Sequence, residues 1–281
     1  MNILMSTANS VGPETARPVS ERRQSIELLR NLDAVTETSK HLLSKALRKM
    51  DSEGQSYEVC RYIWAGPPAG DALRLGLFAT LNGDEPEGAL ALKRFISTLE
   101  KEPDLARGYV FSIYPLCNPT GFEDGTRLSR SGHALNRLFW TNSLAPEVRF
   151  LESEIWMQAF HGIINLRSDE SSSGVYGFAS GSVLSEALLE PALQAAQAFL
   201  PRDRRRQIEG VPARRGMVYA GLYNNQEGAL RAVPGLNRPP FEIMLSTPRA
   251  ASVDLQVAAL NAALTSILLE FRHLQAIAQN I

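Results

Sequence analysis

Only two cysteines, Cys60 and Cys117, occur in 281 residues, and with no thiol or imidazole close to either, a disulfide framework and a zinc knuckle are both excluded. Each lies in an apolar, strand-like stretch and reads as a buried core thiol. Charge of one sign is also lacking: 29 Lys and Arg against 30 Asp and Glu leave a formal net charge of −1. No overall field therefore selects nucleic acid or an anionic membrane. The one basic run, Arg202-Asp203-Arg204-Arg205-Arg206, is short and interrupted by an acid; it reads as a solvated loop, with a phosphate-binding patch as the lesser alternative. No segment reaches the roughly 18 uninterrupted apolar residues of a membrane span. The first residues lack the basic and apolar regions of a signal peptide. These absences predict a cytoplasmic chain with neither membrane nor nucleic acid as partner.

What is present is a 44% hydrophobic composition, enough to bury a sizeable core. Residues 1–20, rich in small polar residues and proline, read as a loose arm. Residues 21–55 read as a helical N-terminal segment with two short apolar stripes, Ile26 to Leu32 and Leu42 to Met50. Residues 56–281 read as a single α/β domain. Within it, strands are expected at Tyr57 to Trp64, Leu73 to Leu81, Tyr109 to Leu116, Gly162 to Leu166 and Phe241 to Leu245. Helices are expected after Pro86, over Pro146 to Phe160, over Ser182 to Leu200 with a break at Pro191, and over Val253 to Leu274. Leu73 to Leu81 is apolar on both faces, as a central strand covered by helices on each side must be. This alternation predicts a three-layer α/β sandwich with a mixed, mostly parallel central sheet flanked by helices. Its polar loops, Asn82 to Glu85, Asn118 to Arg137 and Arg167 to Gly174, then meet at one rim.

Four motifs stand in order along that rim: Asn82-Gly-Asp-Glu85-Pro-Glu-Gly after a strand, Asn118-Pro-Thr-Gly-Phe with Arg127 downstream, Gly132-His-Ala-Leu-Asn136-Arg137, and Leu166-Arg167-Ser-Asp-Glu. Together they resemble the zinc carboxypeptidase superfamily, including its succinylglutamate desuccinylase and aspartoacylase branch. The resemblance implies a zinc-carboxypeptidase-like fold and a metal held by a His-x-x-Glu pair and a second His. Here those three positions read Asn82, Glu85 and Arg167. A guanidinium has no acceptor lone pair and a pKa above about 12, so it cannot ligate a cation; no metal or other cofactor is expected. Of the four histidines, none has the strand-end spacing of a replacement ligand. The family's general-base position falls on Ser246, with Glu242 as the candidate if the register shifts; 242, 244 and 246 share one face of a strand.

The resemblance also implies that Asn136 and Arg137 bind the substrate's terminal carboxylate, since a guanidinium fork matches a carboxylate bidentately, and that Arg127 upstream helps to polarise the scissile carbonyl; without the reaction all three can hold a carboxylate. The bland alternative is that Arg127, Arg130 and Arg137 form surface salt bridges with Asp124, Glu123 and Asp169. Asp84 and Glu85 could likewise be simple first-turn acids of the following helix. The leading expectation is a homologue that has lost zinc and hydrolase activity, with Arg167 paired to Glu85 where the metal would be, and that still binds an amino-acid or peptide carboxylate and could serve a protein partner. The alternatives are an active metallocarboxypeptidase or N-acyl-amino-acid deacylase with an atypical zinc site, and a purely structural or interaction protein.

Overall fold

The computed structural model describes residues 25–52, 54–181, 183–218 and 229–279; the expected arm at 1–20 lies outside them. After helix α1 (Ser25–Thr38) come strands β1 (Leu42–Ser52), β2 (Gln55–Ala65) and β3 (Leu73–Ala79), then helix α2 (Glu87–Lys101). Strand β4 (Tyr109–Tyr114), a short helix α3 (Pro119–Asp124), helix α4 (Pro146–Gln158) and strand β5 (Gly162–Asp169) follow. Next are β6 (Tyr176–Gly181), α5 (Leu184–Ala196) and the short strands β7 (Gln207–Ile208), β8 (Val211–Arg214) and β9 (Met217–Val218). Strand β10 (Phe241–Pro248) and helix α6 (Val253–Gln279) close the chain.

The strands form one sheet in the order β1-β2-β4-β3-β5-β10-β6-β9-β8-β7. Its centre, β4-β3-β5-β10, is parallel, while β1, β2 and β4 on one side and β6 beside β10 on the other pair antiparallel. β3 alternates Leu75, Leu77 and Ala79 into one core with Phe78 into the other. The first core is closed by α2, α5 and α6; the second by α4 through Val148, Leu151 and Ile155. The three layers expected from the sequence are present. The run Val253–Ala278 is long and apolar enough to cross a membrane by length and composition alone; here Leu260, Leu264, Ile267, Leu268 and Phe271 are buried in the first core.

Four expectations need correction. The helical reading of 21–55 holds for Ser25–Thr38 and fails for Leu42–Ser52, which is strand β1, paired residue for residue with β2 from Ser52↔Gln55 to Ser44↔Ile63. Its leucines fit a 3.6 period, but backbone pairing with β2 overrides that local preference. The segment therefore belongs to the main sheet. Asn118-Pro119-Thr120-Gly121 is the start of α3, with the Asn118 side chain accepting a hydrogen bond from Gly121 N (2.9 Å). β6, which has no counterpart in the expected strands, fills the edge of β10. The stretch after Ile208, where no strand is expected before Phe241, contains the paired strands β8 and β9.

Candidate functional site

The first turn of the rim is held in strain. Thr80, a buried β-branched residue, adopts φ 56° as β3 ends, a conformation such residues rarely take and which persists only where the surroundings enforce it. Hydrogen bonds from Cys117 N to Ala79 O (3.1 Å) and Asn118 N to Thr80 O (2.9 Å) do the enforcing. The chain then turns so that Asn82 and Glu85 are both buried, with Asn82 Nδ2 donating to Glu85 Oε1 at 2.5 Å. Asp84 faces the other way and pairs with Arg249 at 2.9 Å. Glu85 is thus more than a first-turn acid.

At the end of β5, Ser168 N donates to Glu85 Oε2 (3.2 Å) and Arg167 Nε lies 3.7 Å from the same oxygen. The guanidinium is shared, since Arg167 Nη1 is 3.3 Å from Glu209 Oε1. Glu209 and Gly210 form the two-residue turn between β7 and β8, with φ 49° and 78°. Such a turn needs positive φ at both positions and favours Asn first. A glutamate there spends conformational energy, and its carboxylate contacts Arg167.

Burial outweighs these partners and pushes the Glu85 carboxyl above the ordinary carboxylate range, with Arg167, the Asn82 amide and the Ser168 N–H pulling the other way. An acid whose folded pKa is raised contributes stability that is full below the ordinary carboxylate range and lost as pH rises through the folded value. Glu85→Gln should therefore gain on the wild type in urea unfolding as pH rises above the ordinary carboxylate range toward the raised folded value. A difference between the two that is constant with pH would contradict this.

The donor set does not fit zinc. Two oxygens of one carboxylate are already engaged by an amide and a backbone N–H, and a fixed cation stands 3.7 Å away. Asn82 Oδ1 is buried without a hydrogen-bond partner among the described residues, but one amide oxygen beside one carboxylate falls short of the three ligands a zinc site needs. Among the described residues, no group of three or more His, Cys, Asp or Glu could hold a metal ion. His161 instead accepts from Arg74 N (2.9 Å), and His41 stacks on Trp64.

Beside the turn opens a cavity of about 540 Å³, whose wall includes Arg127, Asn136, Arg137, Arg167, Glu209 and Glu242. All three expected carboxylate-binding residues therefore meet in one place. Asn136 and Arg137 ride on a 3-10 turn pinned by the buried Leu135. The surface-salt-bridge alternative separates cleanly: Arg130 is the residue that pairs with Glu123 (3.1 Å) and Asp124 (3.0 Å), and Asp169 pairs with Arg205 (3.1 Å). Arg127 and Arg137 are exposed to the cavity and make no ion pair with a described residue. Ser246 is buried, opposite Arg167 on β5 and Tyr176 on β6, so it shares the rim with Asn82, Glu85 and Arg167. Glu242 lines the cavity four residues earlier on β10, opposite Ile163 and Ser180. Sequence reading missed Asn165, Ser180 and Glu209 as cavity residues; the Glu209-Gly210 pair, a two-residue hairpin signal, was the one local cue to the last.

Residues 71–199 match the family model for the succinylglutamate desuccinylase/aspartoacylase catalytic domain. Among solved structures, a candidate metallopeptidase from Shewanella baltica OS155 superposes with a TM-score of 0.71 at 22% identity, over 87% of this chain and 92% of that one. A second, from Shewanella amazonensis SB2B, gives 0.70 at 20% identity over 86% and 92%. A metallo-carboxypeptidase from Burkholderia cenocepacia gives 0.67 at 16% identity over 90% and 70%. No curated protein sequence matches significantly. The chain has the zinc-carboxypeptidase-like fold.

Proposed function

We propose that this zinc-carboxypeptidase-like chain binds a small carboxylate, such as an amino acid or a peptide terminus, and does not carry out zinc-dependent hydrolysis. One observation carries the reading: Arg127, Asn136 and Arg137 converge on a single cavity in which Arg127 and Arg137 are not committed to internal acids among the described residues. The forked donors of the two arginines take the carboxylate oxygens, and Asn136, whose Oδ1 is buried with no hydrogen-bond partner among the described residues, adds an acceptor for a ligand N–H. Arg167 stands 3.7 Å from Glu85 Oε2 where a metal site would otherwise lie. This leaves the ligand bound next to a carbonyl-polarising centre that the donor chemistry no longer supports.

Metal analysis of the purified full chain should give far less than one zinc per molecule. Calorimetry with N-acetyl amino acids should show binding that Arg137→Ala weakens more than ten-fold, the loss expected for a charge-assisted fork. Stoichiometric zinc held through Glu85, or chelator-sensitive hydrolysis of acyl amino acids, would establish the rival reading of an active amidohydrolase. A folded protein that binds no carboxylate would leave only the structural role.

A further inference from the structure

The cavity floor is ordered by strand register. Paired positions on its side of the sheet form three rows: Arg167, Ser246 and Tyr176 at the rim, then Asn165, Met244 and Phe178, then Ile163, Glu242 and Ser180. The first and third rows are four residues apart, about 13 Å at roughly 3.3 Å per residue. Arg167 stands in the rim row and the Glu242 carboxylate in the last, while Arg127 and Arg137 line the same cavity.

That carboxylate lacks a counter-ion among the described residues. Glu242 Oε2 accepts from Ser180 Oγ (2.5 Å) and Oε1 from Ala232 N (2.8 Å), both neutral donors. The other acids of the cavity wall are matched, Glu209 by Arg167 and Asp169 by Arg205. In the same wall Asn165 is buried and its Oδ1 has no hydrogen-bond partner among the described residues. Two acceptors, Asn165 in the middle row and the charged Glu242 in the last, call for a donor that carries positive charge. Met244 and Phe178, which occupy the middle row, suit the methylenes between a ligand's two ends.

We infer that the ligand is a basic amino acid, free or at a peptide terminus, with its carboxylate on Arg127 and Arg137 and its side-chain ammonium or guanidinium on Glu242 and Asn165. The inference rests on the carboxylate-binding reading above. Glu242 is a specificity residue here, and its hydrogen bonds to Ser180 and Ala232 fix the carboxylate in place.

The test uses the purified full chain and two near-isosteric probes, N-acetyl-L-lysine and N-acetyl-L-norleucine, by calorimetry. The wild type should bind the lysine derivative at least ten-fold more tightly, since a charge-assisted hydrogen bond is gained. Glu242→Gln, whose amide oxygen can still accept from Ala232 N while its N–H donates to Ser180 Oγ, should abolish the preference. Equal binding of the two probes by the wild type, or a preference that survives Glu242→Gln, overturns the inference while carboxylate binding stands. Failure of both probes to bind removes the carboxylate reading and this inference with it. If Glu242→Gln does not fold, the wild-type comparison decides alone.

Discussion

Gly83→Ala should destabilise the protein by about 3 kcal/mol or more, because a methyl group there would overlap backbone that has no room to yield. A Cβ on Gly83 would stand 2.0 Å from Gly121 C, 2.3 Å from Phe122 N and 2.5 Å from Gly121 Cα. All three atoms belong to the first turn of α3, whose start is fixed by the Asn118 side chain on Gly121 N. No side-chain rotation relieves the contact, so the Asn82-to-Glu85 turn or α3 must move. Thermal unfolding should show a drop of about 6–12 °C at this chain length. Gly132→Ala is the control: its φ is 77° and nothing lies within 4 Å of the added methyl, so only the backbone preference of about 1–2 kcal/mol is lost. Equal effects at the two positions would show that the turn is not wedged against α3.

That contact also explains why two of the motifs were readable and others were not. The Asn-Gly-Asp-Glu turn and the Asn-Pro-Thr-Gly segment are each dictated locally: a strand must stop, a glycine must let two backbones touch, and an Asn must cap the next helical turn. The short motifs announced themselves, although the capping chemistry of Asn118 and Pro119 fits a turn and a helix start equally well. β3 was legible because a strand covered on both faces is apolar on both faces. β1 was not: Leu42, Leu43, Leu47 and Met50 satisfy a helical stripe, and what makes them a strand is the edge of β2. β6 was hidden for a related reason. Its sequence, Tyr-Gly-Phe-Ala-Ser-Gly, is weak as a strand. Gly177 is required there because a Cβ would lie 2.6 Å from Leu189 Cδ1 and 2.8 Å from Met244 O, contacts set by α5 and β10. The placement of Arg127, Asn136 and Arg137 in one cavity followed from motif order. The contact of Arg167 with Glu209, 42 residues away in sequence, could not, because only the fold brings the β7–β8 turn over the end of β5.

Imidazoles at positions 82 and 167 should create a zinc site. In the double substitution Asn82→His and Arg167→His, two neutral nitrogen donors join the Glu85 carboxylate, and the cation that now stands 3.7 Å from it is gone. Three ligands of this kind form a zinc site with a position left open for water. The buried Glu85, whose carboxyl burial pushes toward the protonated form, would then be held ionised by the metal's own charge. The variant should bind one zinc per chain by metal analysis. At a zinc concentration of about 100 times its dissociation constant it should gain about 2.7 kcal/mol in unfolding free energy, while the wild type gains none. Arg167→His alone leaves only one imidazole and should bind zinc far more weakly, so the two substitutions should be strongly non-additive. Because Glu209 also loses its partner Arg167, its carboxylate becomes free in the double variant, and adding Glu209→Gln asks whether it assists. Zinc bound with the same stoichiometry when Glu85 is also replaced by Gln would mean that the metal sits elsewhere. A folded double variant with no zinc at all would mean that the turn and the end of β5 no longer stand at ligand distance, and that Arg167 fills a gap no metal could bridge.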